Sequence, residues 1–274
     1  MKSLKMISCP ACSIIEAGPG PAPHLADEHF QQWIDSLEAR HLADLTFSEV
    51  SRALRALSST YVERRQRLLE GAALSGRGKR AAFALFYGPL HYLLVREIVG
   101  TLPGATLGSP TLVDLGCGTG ASGAAWAHAC SRRPRIVGID RHPWALGEAT
   151  RAYRHFGFAA RTRRHDVVSV LLPKPPALLL AAFTLNELQD TPRDALLRRL
   201  VERASKGDSV LIVEPLAGRV APWWSKWRGI VAKAGGRSDE WRVRAELPAI
   251  VAKLDRAAGL DHRELTGRSL WLAP

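Results

Sequence analysis

The sequence is poor in cysteine, with four in 274 residues. So few cysteines do not make the disulfide framework that stabilises small secreted domains. Cys9 and Cys12 form one CPAC motif, and no second Cys-x-x-Cys or tight cysteine–histidine cluster follows it. Because a zinc site needs about four ligands, the sequence predicts no metal centre. A partner or a second copy could complete a site with this pair, so its role stays open.

Long hydrophobic runs are also missing. The longest apolar stretch, residues 177–185, is far shorter than the roughly 20 residues that span a bilayer. Two lysines stand near the N-terminus, but no continuous apolar stretch or small-residue cleavage pattern follows them. The sequence therefore predicts a cytoplasmic protein with no signal peptide and no membrane span.

Acidic residues are scarce relative to basic ones. The chain has 26 Asp and Glu against 38 Lys and Arg, a net charge of +12. A basic surface favours polyanions such as RNA or DNA. Basic enzymes with small substrates are also common, so the charge leaves both kinds of partner open. Hydrophobic residues make up 46% of the chain, which predicts a folded core.

The first part of the chain has a helical pattern. Residues 1–24 contain a Pro/Gly-rich stretch and predict a mobile leader, and residues 25–104 predict an N-terminal helical region. Thr46 or Ser48 is the expected cap of the second helix. The GRGKR segment predicts a break, and Gly88-Pro89 a bend. The apolar residues at three- and four-residue spacing are Phe30, Trp33, Ile34, Leu37, Val50, Leu54, Leu57 and Tyr61.

Residues 105–274 change to an alternation of strands and helices. The predicted strands are 111–115, 135–139, 160–164, 177–182 and 209–213, with helices at 122–131, 143–156 and 192–204. A further helix near 247–258 and two short strands at 262–265 and 269–272 follow a basic segment rich in tryptophan. Such alternation predicts an α/β fold, a parallel sheet with helices on both faces.

A glycine-rich loop, in TLVDLGCGTGASG, connects the first of these strands to its helix. Gly116, Gly118 and Gly120 allow a tight turn and close approach of a ligand, and the helix N-terminus points at the same place. The loop fits the dinucleotide pattern if Ala121 replaces the third glycine, and Asp140 stands at the distance of a ribose contact. NAD is therefore a competing ligand.

Other features of the loop and the strands favour an amino-acid-bearing nucleoside over NAD. Asp114 gives the pattern D-x-G-x-G-x-G, and its carboxylate would attract an ammonium group but repel a pyrophosphate. Two short strands follow the fifth parallel strand. No Tyr-x-x-x-Lys pair for hydride transfer follows the loop.

These motifs resemble those of class I S-adenosylmethionine-dependent methyltransferases. VDLGCGTG looks like their motif I, VGIDRHP like the second-strand acid, and RRHDV like the acid after the third strand. FTLNELQD and VLIVEP occupy the fourth- and fifth-strand positions. The resemblance implies a Rossmann-like sheet of parallel strands plus a C-terminal antiparallel strand, with S-adenosylmethionine as cofactor.

The same resemblance implies a cofactor site. Asp114 and the glycine loop would face the methionine part, Asp140 would accept from both ribose hydroxyls, and Asp166 would meet the adenine. The alternatives are that Asp114 caps the loop and that Asp166 caps a helix. The cofactor residues so implied are Asp114, Gly116, Cys117, Gly118, Gly120, Asp140, Arg141, Asp166 and Val167.

A finer resemblance, over about residues 47–215, is to the small-ribosomal-subunit methyltransferase-like family. The segment SEVSRALRALSSTYVERRQRLLEG and the later LNELQDTPRDALL are similar to that family, which acts in ribosome assembly. Members commonly carry cysteines for an iron–sulfur cluster shortly after the Glu-Pro. Here that stretch, LAGRVAPWWSKWRG, has none, so the sequence predicts that the cluster is absent and leaves room for a different substrate.

Candidate substrate residues lie on both sides of the loop. Asn186 and Glu187 follow the fourth strand, at the sheet edge where substrates meet the cofactor, and are the catalytic candidates. His91 and Tyr92 could reach the site from the helical region, with interdomain packing as the alternative. Cys117 is not expected to act as a nucleophile.

Trp223, Trp224 and Trp227 alternate with basic residues. They would suit base stacking with phosphate contact, a lid over a small substrate, or packing. The sequence thus predicts a methyltransferase that acts on RNA or a ribosomal particle. A small-molecule methyltransferase and a non-catalytic S-adenosylmethionine-binding assembly factor are the alternatives.

Overall fold

The computed structural model of the chain describes residues 12–16, 25–63, 74–216, 221–244 and 246–274. Its strands are β1 (Cys12–Glu16), β2 (Thr111–Leu115), β3 (Arg135–Asp140), β4 (Ala160–Arg164), β5 (Leu178–Ala182), β6 (Ser209–Glu214), β7 (Arg237–Arg244) and β8 (Glu264–Leu272). Its α-helices are α1 (Leu25–His41), α2 (Phe47–Glu63), α3 (Arg77–Ala82), α4 (Gly88–Thr101), α5 (Ala121–Ala129), α6 (Pro143–His155), α7 (Asp190–Ala204), α8 (Trp224–Lys233) and α9 (Ala249–Ala257).

The strands form one sheet in the order β1-β7-β8-β6-β5-β2-β3-β4. Neighbouring strands are parallel except where β8 pairs with β6 and with β7. Strand β5 is buried along its whole length, as expected for a central strand with helices on both faces. The predicted fold class, a Rossmann-like parallel sheet with a C-terminal antiparallel strand and N-terminal helices, is confirmed.

The two ends of the chain differ from the sequence prediction. The short strands expected at 262–265 and 269–272 are one continuous strand, β8. Strand β7 lies in the basic segment for which the sequence predicts no strand. Within the expected leader, residues 12–16 form β1, which pairs in parallel with β7. The other leader residues, Cys9 among them, lie outside the described residues.

The N-terminal helices bury the stripes that the sequence predicts, apart from Tyr61, whose side chain lies outside the described part of the structure. Thr46 caps α2: its Oγ1 accepts from the N–H of Glu49 at 3.3 Å, and a carboxylate oxygen of Glu49 accepts from the N–H of Thr46 at 2.8 Å. Helix α3 already begins at Arg77, inside the expected break. A π-helical turn (Phe83–Tyr87) joins α3 to α4 in place of a bend at Gly88-Pro89. The buried stripe residues are Phe30, Trp33, Ile34, Leu37, Val50, Leu54 and Leu57.

The N-terminal helices pack against α5 and α6 on one face of the sheet, while α7 and α8 cover the other. A partly buried ion pair joins the two parts, since the Glu148 carboxylate on α6 accepts from Arg40 of α1 at 2.5 and 2.7 Å. The helical region is thereby held beside the carboxyl ends of the parallel strands. No helix in the described part of the chain is long and apolar enough to cross a membrane.

Candidate functional site

The glycine loop turns from β2 into α5 at the carboxyl edge of the sheet. Gly116, Gly118 and Gly120 have φ values of 72°, 50° and 79°, in the left-handed region that glycine adopts without strain. The N–H groups of Gly116 and Cys117 both donate to the carbonyl oxygen of Ile139, at 2.8 and 2.9 Å. The loop is therefore fixed against the end of β3.

Close packing requires glycine at two of these positions. A Cβ on Gly116 would lie 2.3 Å from Oγ1 of Thr184, and a Cβ on Gly120 would lie 2.8 Å from Cα of Ala149. The Thr184 hydroxyl donates to the carbonyl oxygen of Leu115 at 3.0 Å. The loop is thus held between the segment after β5 and helix α6.

Asp114 lies beneath the loop and is 1% exposed. Its Oδ2 accepts from the hydroxyl of Tyr153 at 2.8 Å and from the N–H of Gly123 at 3.1 Å. Burial raises the pKa of Asp114 to about 7. These contacts correspond to the loop-capping alternative, and contact with the methionine part of a cofactor stays a prediction.

Asp140 ends β3 beside the loop and is partly exposed. Its Oδ2 accepts from the N–H of Gly118 at 2.9 Å, and its Oδ1 accepts from the N–H of His142 at 2.8 Å. A carboxylate oxygen can accept a second hydrogen bond, so both oxygens retain capacity for a hydroxyl. This geometry favours the predicted ribose contact, which stays a prediction.

Arg141, Asp166 and Val167 lie at the same edge of the sheet. Asp166 Oδ1 accepts from the N–H of Val168 at 2.8 Å, and its Oδ2 lies 3.9 Å from a guanidinium nitrogen of Arg141. The Val167 side chain is 7% exposed and belongs to the core beneath this edge. The structure therefore brings the predicted adenine residues close to the ribose candidate.

A buried hydrogen-bond network shapes the segment after β5. Phe183 has a φ of 57°, uncommon for a residue other than glycine, and its N–H donates to the carbonyl oxygen of Val213 at 2.8 Å. Glu214 at the end of β6 is fully buried, and its carboxyl group accepts from the N–H of Leu185 at 2.7 Å. Burial raises the pKa of Glu214 to about 8.

Asn186 is part of this network and is 8% exposed. Its Nδ2 donates to Glu214 at 2.6 Å, and its Oδ1 accepts from the indole N–H of Trp223 at 3.1 Å. Both polar ends of the side chain are therefore engaged inside the protein. This arrangement suits a residue that positions the turn, and direct catalysis by Asn186 stays a prediction.

Glu187, the next residue, is presented differently. It is partly exposed, and its carboxylate has no hydrogen bond within the part of the chain that the structure describes. Burial, and after it the negative charge of Asp140, raise the pKa of Glu187 to about 7. A carboxyl group with this pKa is well matched to proton transfer near neutral pH. The structure thus separates the two catalytic candidates by their surroundings.

His91 of α4 reaches the end of β5. Its imidazole stacks on Phe183, with ring centroids 3.8 Å apart and planes 12° apart. Phe83 and Tyr87 lie 6.3 and 6.2 Å from the same imidazole, and a Cβ on Gly118 would lie 3.7 Å from the Phe83 ring. Burial lowers the pKa of His91 to about 3, so the ring is neutral. We call these four partly exposed rings (Phe83, Tyr87, His91, Phe183) the aromatic wall.

Tyr92, the neighbour of His91, lies away from the loop. It is 1% exposed, its hydroxyl is 2.9 Å from Nδ1 of His128, and its ring stacks on those of Phe30 and Phe156. These contacts are with the N-terminal core. The structure therefore brings His91 to the site but does not bring Tyr92 there.

The tryptophans after β6 are packing residues in this fold. Trp223, Trp224 and Trp227 are 6%, 6% and 1% exposed. The indole N–H of Trp227 donates to Asp194 at 2.8 Å, and the Arg268 guanidinium lies 4.4 Å from the Trp224 ring centroid. Indole faces that are buried in this way cannot stack on nucleobases.

Sequence reasoning missed several residues of the site. Phe83 and Tyr87 lie far from the glycine loop in sequence, and Phe183 and Thr184 begin the motif FTLNELQD but are given no role by it, because the contacts that bring them to the loop join distant parts of the chain. Glu214 carried a usable signal, since it is an acid at the end of the buried strand in VLIVEP.

Cys117 and Cys130 belong to no metal-binding cluster in the described part of the chain. Among the described residues, no group of three or more His, Cys, Asp and Glu could hold a metal ion. Cys117 and Cys130 are free and buried, and burial raises the pKa of the Cys117 thiol above its ordinary value. The absence of a metal centre from the whole protein stays a prediction.

Comparison with known proteins agrees with this geometry. Residues 112–207 match a protein family described as Methyltransferase domain. This segment runs from β2 to the turn after α7 and contains the glycine loop, Asp140, Asp166 and Glu187. No curated protein matches the chain in sequence.

Two solved structures have a similar fold. The mitomycin 7-O-methyltransferase MmcR is 15% identical over 92% of this chain and 76% of its own, with a TM-score of 0.50. An S-adenosylmethionine-dependent methyltransferase from Leishmania major is 12% identical over 88% of this chain and 91% of its own, also with a TM-score of 0.50. Residues 112–207 therefore match a methyltransferase domain, and the fold of the chain is similar to that of these two structures.

Proposed function

We propose that this enzyme methylates a planar small molecule bound against the aromatic wall. The observation that carries this proposal is the aromatic wall itself. Its four rings are only partly buried, the Phe83 ring lies against Gly118 of the glycine loop, and Phe183 directly follows β5, four residues before Glu187. Aromatic faces bind planar rings by stacking, and a few polar groups then fix the orientation.

The chain contributes positioning and proton transfer to this reaction. S-adenosylmethionine supplies an electrophilic methyl group on a sulfonium, so the protein needs chiefly to hold the acceptor in line. The glycine loop and Asp140 would hold the cofactor, and the aromatic wall would orient the acceptor. Glu187 would take the proton from an acceptor hydroxyl or amine, while Asn186 and Glu214 keep its turn in place.

Two further facts support a small acceptor. The helical region that carries His91 is fixed to the sheet domain by the Arg40–Glu148 ion pair, so the aromatic wall belongs to the folded enzyme. MmcR, which has the same fold over 92% of this chain, is a mitomycin O-methyltransferase.

Transfer of a tritiated methyl group to fractionated small-molecule extract tests the proposal. Glu187→Gln should lower kcat by about 10²- to 10⁴-fold and leave S-adenosylmethionine affinity unchanged. Wild-type activity should rise with pH through about 7, as Glu187 becomes ionised, and this limb should be missing in the variant. The matched control is Glu202→Gln, an exposed glutamate on α7. Equal kcat in wild type and Glu187→Gln would refute the role of Glu187.

RNA or a ribosomal particle is the second candidate acceptor. A nucleobase is also planar, and the charge of +12, with three exposed arginines on edge strand β4, favours a polyanion. Tritium found in ribosomal RNA or subunits instead of small molecules would favour it. Binding of S-adenosylmethionine with no transfer to any fraction would favour a non-catalytic assembly factor.

A further inference from the structure

One edge of the sheet is covered with arginine. Strand β4 is the last strand on this side, and four of its five residues are exposed. The segment before β3 lies next to it, and the Arg133 guanidinium is 5.7 Å from the centroid of the Phe158 ring, just ahead of β4. We call the following exposed residues the arginine edge: Arg132, Arg133, Arg135, Arg161, Arg163 and Arg164.

No carboxylate among the described residues forms an ion pair with the arginine edge. Residues 115–139 and 151–165 contain no Asp or Glu. In the described part of the chain, none of the six arginines forms an ion pair. The nearest acid along the chain, Asp166, lies 3.9 Å from a different arginine, Arg141. Like charges on alternate strand residues are about 7 Å apart and repel each other, so an anionic partner would stabilise them.

Edge strands often carry charges that prevent aggregation, and lysine is the usual choice. All the basic residues of segments 131–135 and 160–164 are arginine, as are most basic residues of the chain. The planar guanidinium binds a phosphate through two parallel hydrogen bonds, which an ammonium cannot do. A row of arginines on an extended strand therefore suits a row of phosphates.

We propose that the arginine edge binds the sugar–phosphate backbone of RNA. The inference goes beyond the proposed function, because it holds whether the methyl acceptor is a small molecule or a base. A membrane surface fits less well. The large apolar residues exposed in the described part are Leu107 and Leu171, which lie in loops and form no apolar face with β4.

The arginine edge also leads to the cofactor site. The Arg164 side chain donates to the carbonyl oxygen of Arg141 at 3.2 Å, and Arg141 directly follows Asp140. RNA bound along β4 would therefore pass beside the predicted ribose contact. This location differs from the buried tryptophans, for which the sequence leaves base stacking, a lid and packing open.

Anisotropy of a labelled single-stranded RNA of about 20 nucleotides, titrated from about 50 to 200 mM salt, tests the proposal. The variant Arg161→Gln/Arg163→Gln should bind roughly tenfold to thirtyfold more weakly at about 0.1 M salt. Its slope of log affinity against log salt should be about 1.4 smaller, because two phosphate contacts are lost. The control Arg244→Gln/Arg256→Gln removes the same charge from exposed positions on β7 and α9 and should match wild type.

Several outcomes would overturn the proposal. These are the absence of RNA binding by wild type at about 50 mM salt, equal losses in the two double variants, and no loss in the β4 variant. Tighter binding to anionic lipid vesicles than to RNA, lost in the β4 variant, would assign the edge to a membrane. S-adenosylmethionine affinity and methyl transfer to small molecules are measured in parallel and should be unchanged. A change in those alone bears on the proposed function and not on the arginine edge.

Discussion

Replacing Gly116 by alanine tests whether the glycine loop is clamped as the structure shows. A residue with a Cβ at φ 72° costs about 1–2 kcal/mol in the left-handed region. The new Cβ would also lie 2.3 Å from Oγ1 and 2.4 Å from Cγ2 of Thr184. Thr184 cannot turn away freely, because its hydroxyl is bonded to the carbonyl oxygen of Leu115. Overpacking of this kind costs about 1–3 kcal/mol, so we expect a total loss of about 2–5 kcal/mol.

Urea denaturation of Gly116→Ala and Gly235→Ala separates the cost of the left-handed backbone from the cost of overpacking against Thr184. Gly235 has a φ of 82° but no atom within 4 Å of its Cβ position, so that variant should lose only about 1–2 kcal/mol. In a double-mutant cycle, Thr184→Ala should cost less in the Gly116→Ala background than in wild type. Equal stability of the two single glycine variants, or an additive cycle, would refute the clamp.

Other predictions concern buried polar groups. Tyr153→Phe should lower the free energy of unfolding by about 1–3 kcal/mol, because buried Asp114 keeps only one hydrogen-bond donor; an unchanged urea midpoint would contradict this. Because the pKa of Glu214 is raised in the folded protein, its contribution to the free energy of unfolding is complete below pH about 4.5. That contribution is lost progressively as the pH rises to about 8. The free energy of unfolding of Glu214→Gln should therefore rise by up to about 5 kcal/mol relative to that of wild type over this pH range. Parallel pH–stability curves for the two proteins would contradict the raised pKa of Glu214. Trp227→Ala should lower the free energy of unfolding by about 3–5 kcal/mol but leave the salt dependence of RNA binding by the folded protein unchanged. A smaller salt slope in this variant would instead indicate that the tryptophans contact RNA.

The central part of the fold could be predicted because its signals are local. Buried strands such as β5 read as continuous apolar runs, and the spacing of Asp114 and the three glycines specifies a turn at a strand end. Strand β7 could not be predicted, because its sequence, RSDEWRVR, is mostly charged and lacks the apolar pattern of a buried strand. It is a strand because β8 and β1 pair with it on both sides. Pairing of this kind depends on distant residues and leaves little local pattern.

The site could be predicted only in part. The carboxyl ends of parallel strands meet at one edge, so Asp140, Asp166 and Glu187 are placed together by topology alone. The exposure of a side chain does not follow from its neighbours in sequence. Asn186 and Glu187 are adjacent, yet one is bonded to Glu214 and the other is presented to the site.

Calorimetric titration with S-adenosylmethionine tests the central claim most directly. Wild type should bind the cofactor, and Asp140→Ala should bind at least tenfold more weakly, because hydrogen bonds to a charged group contribute about 1.5–3 kcal/mol each. Asp261→Ala, at an exposed acid paired with Arg263, should bind as wild type does. Absence of binding by wild type, or equal affinity of wild type and Asp140→Ala, would contradict the account.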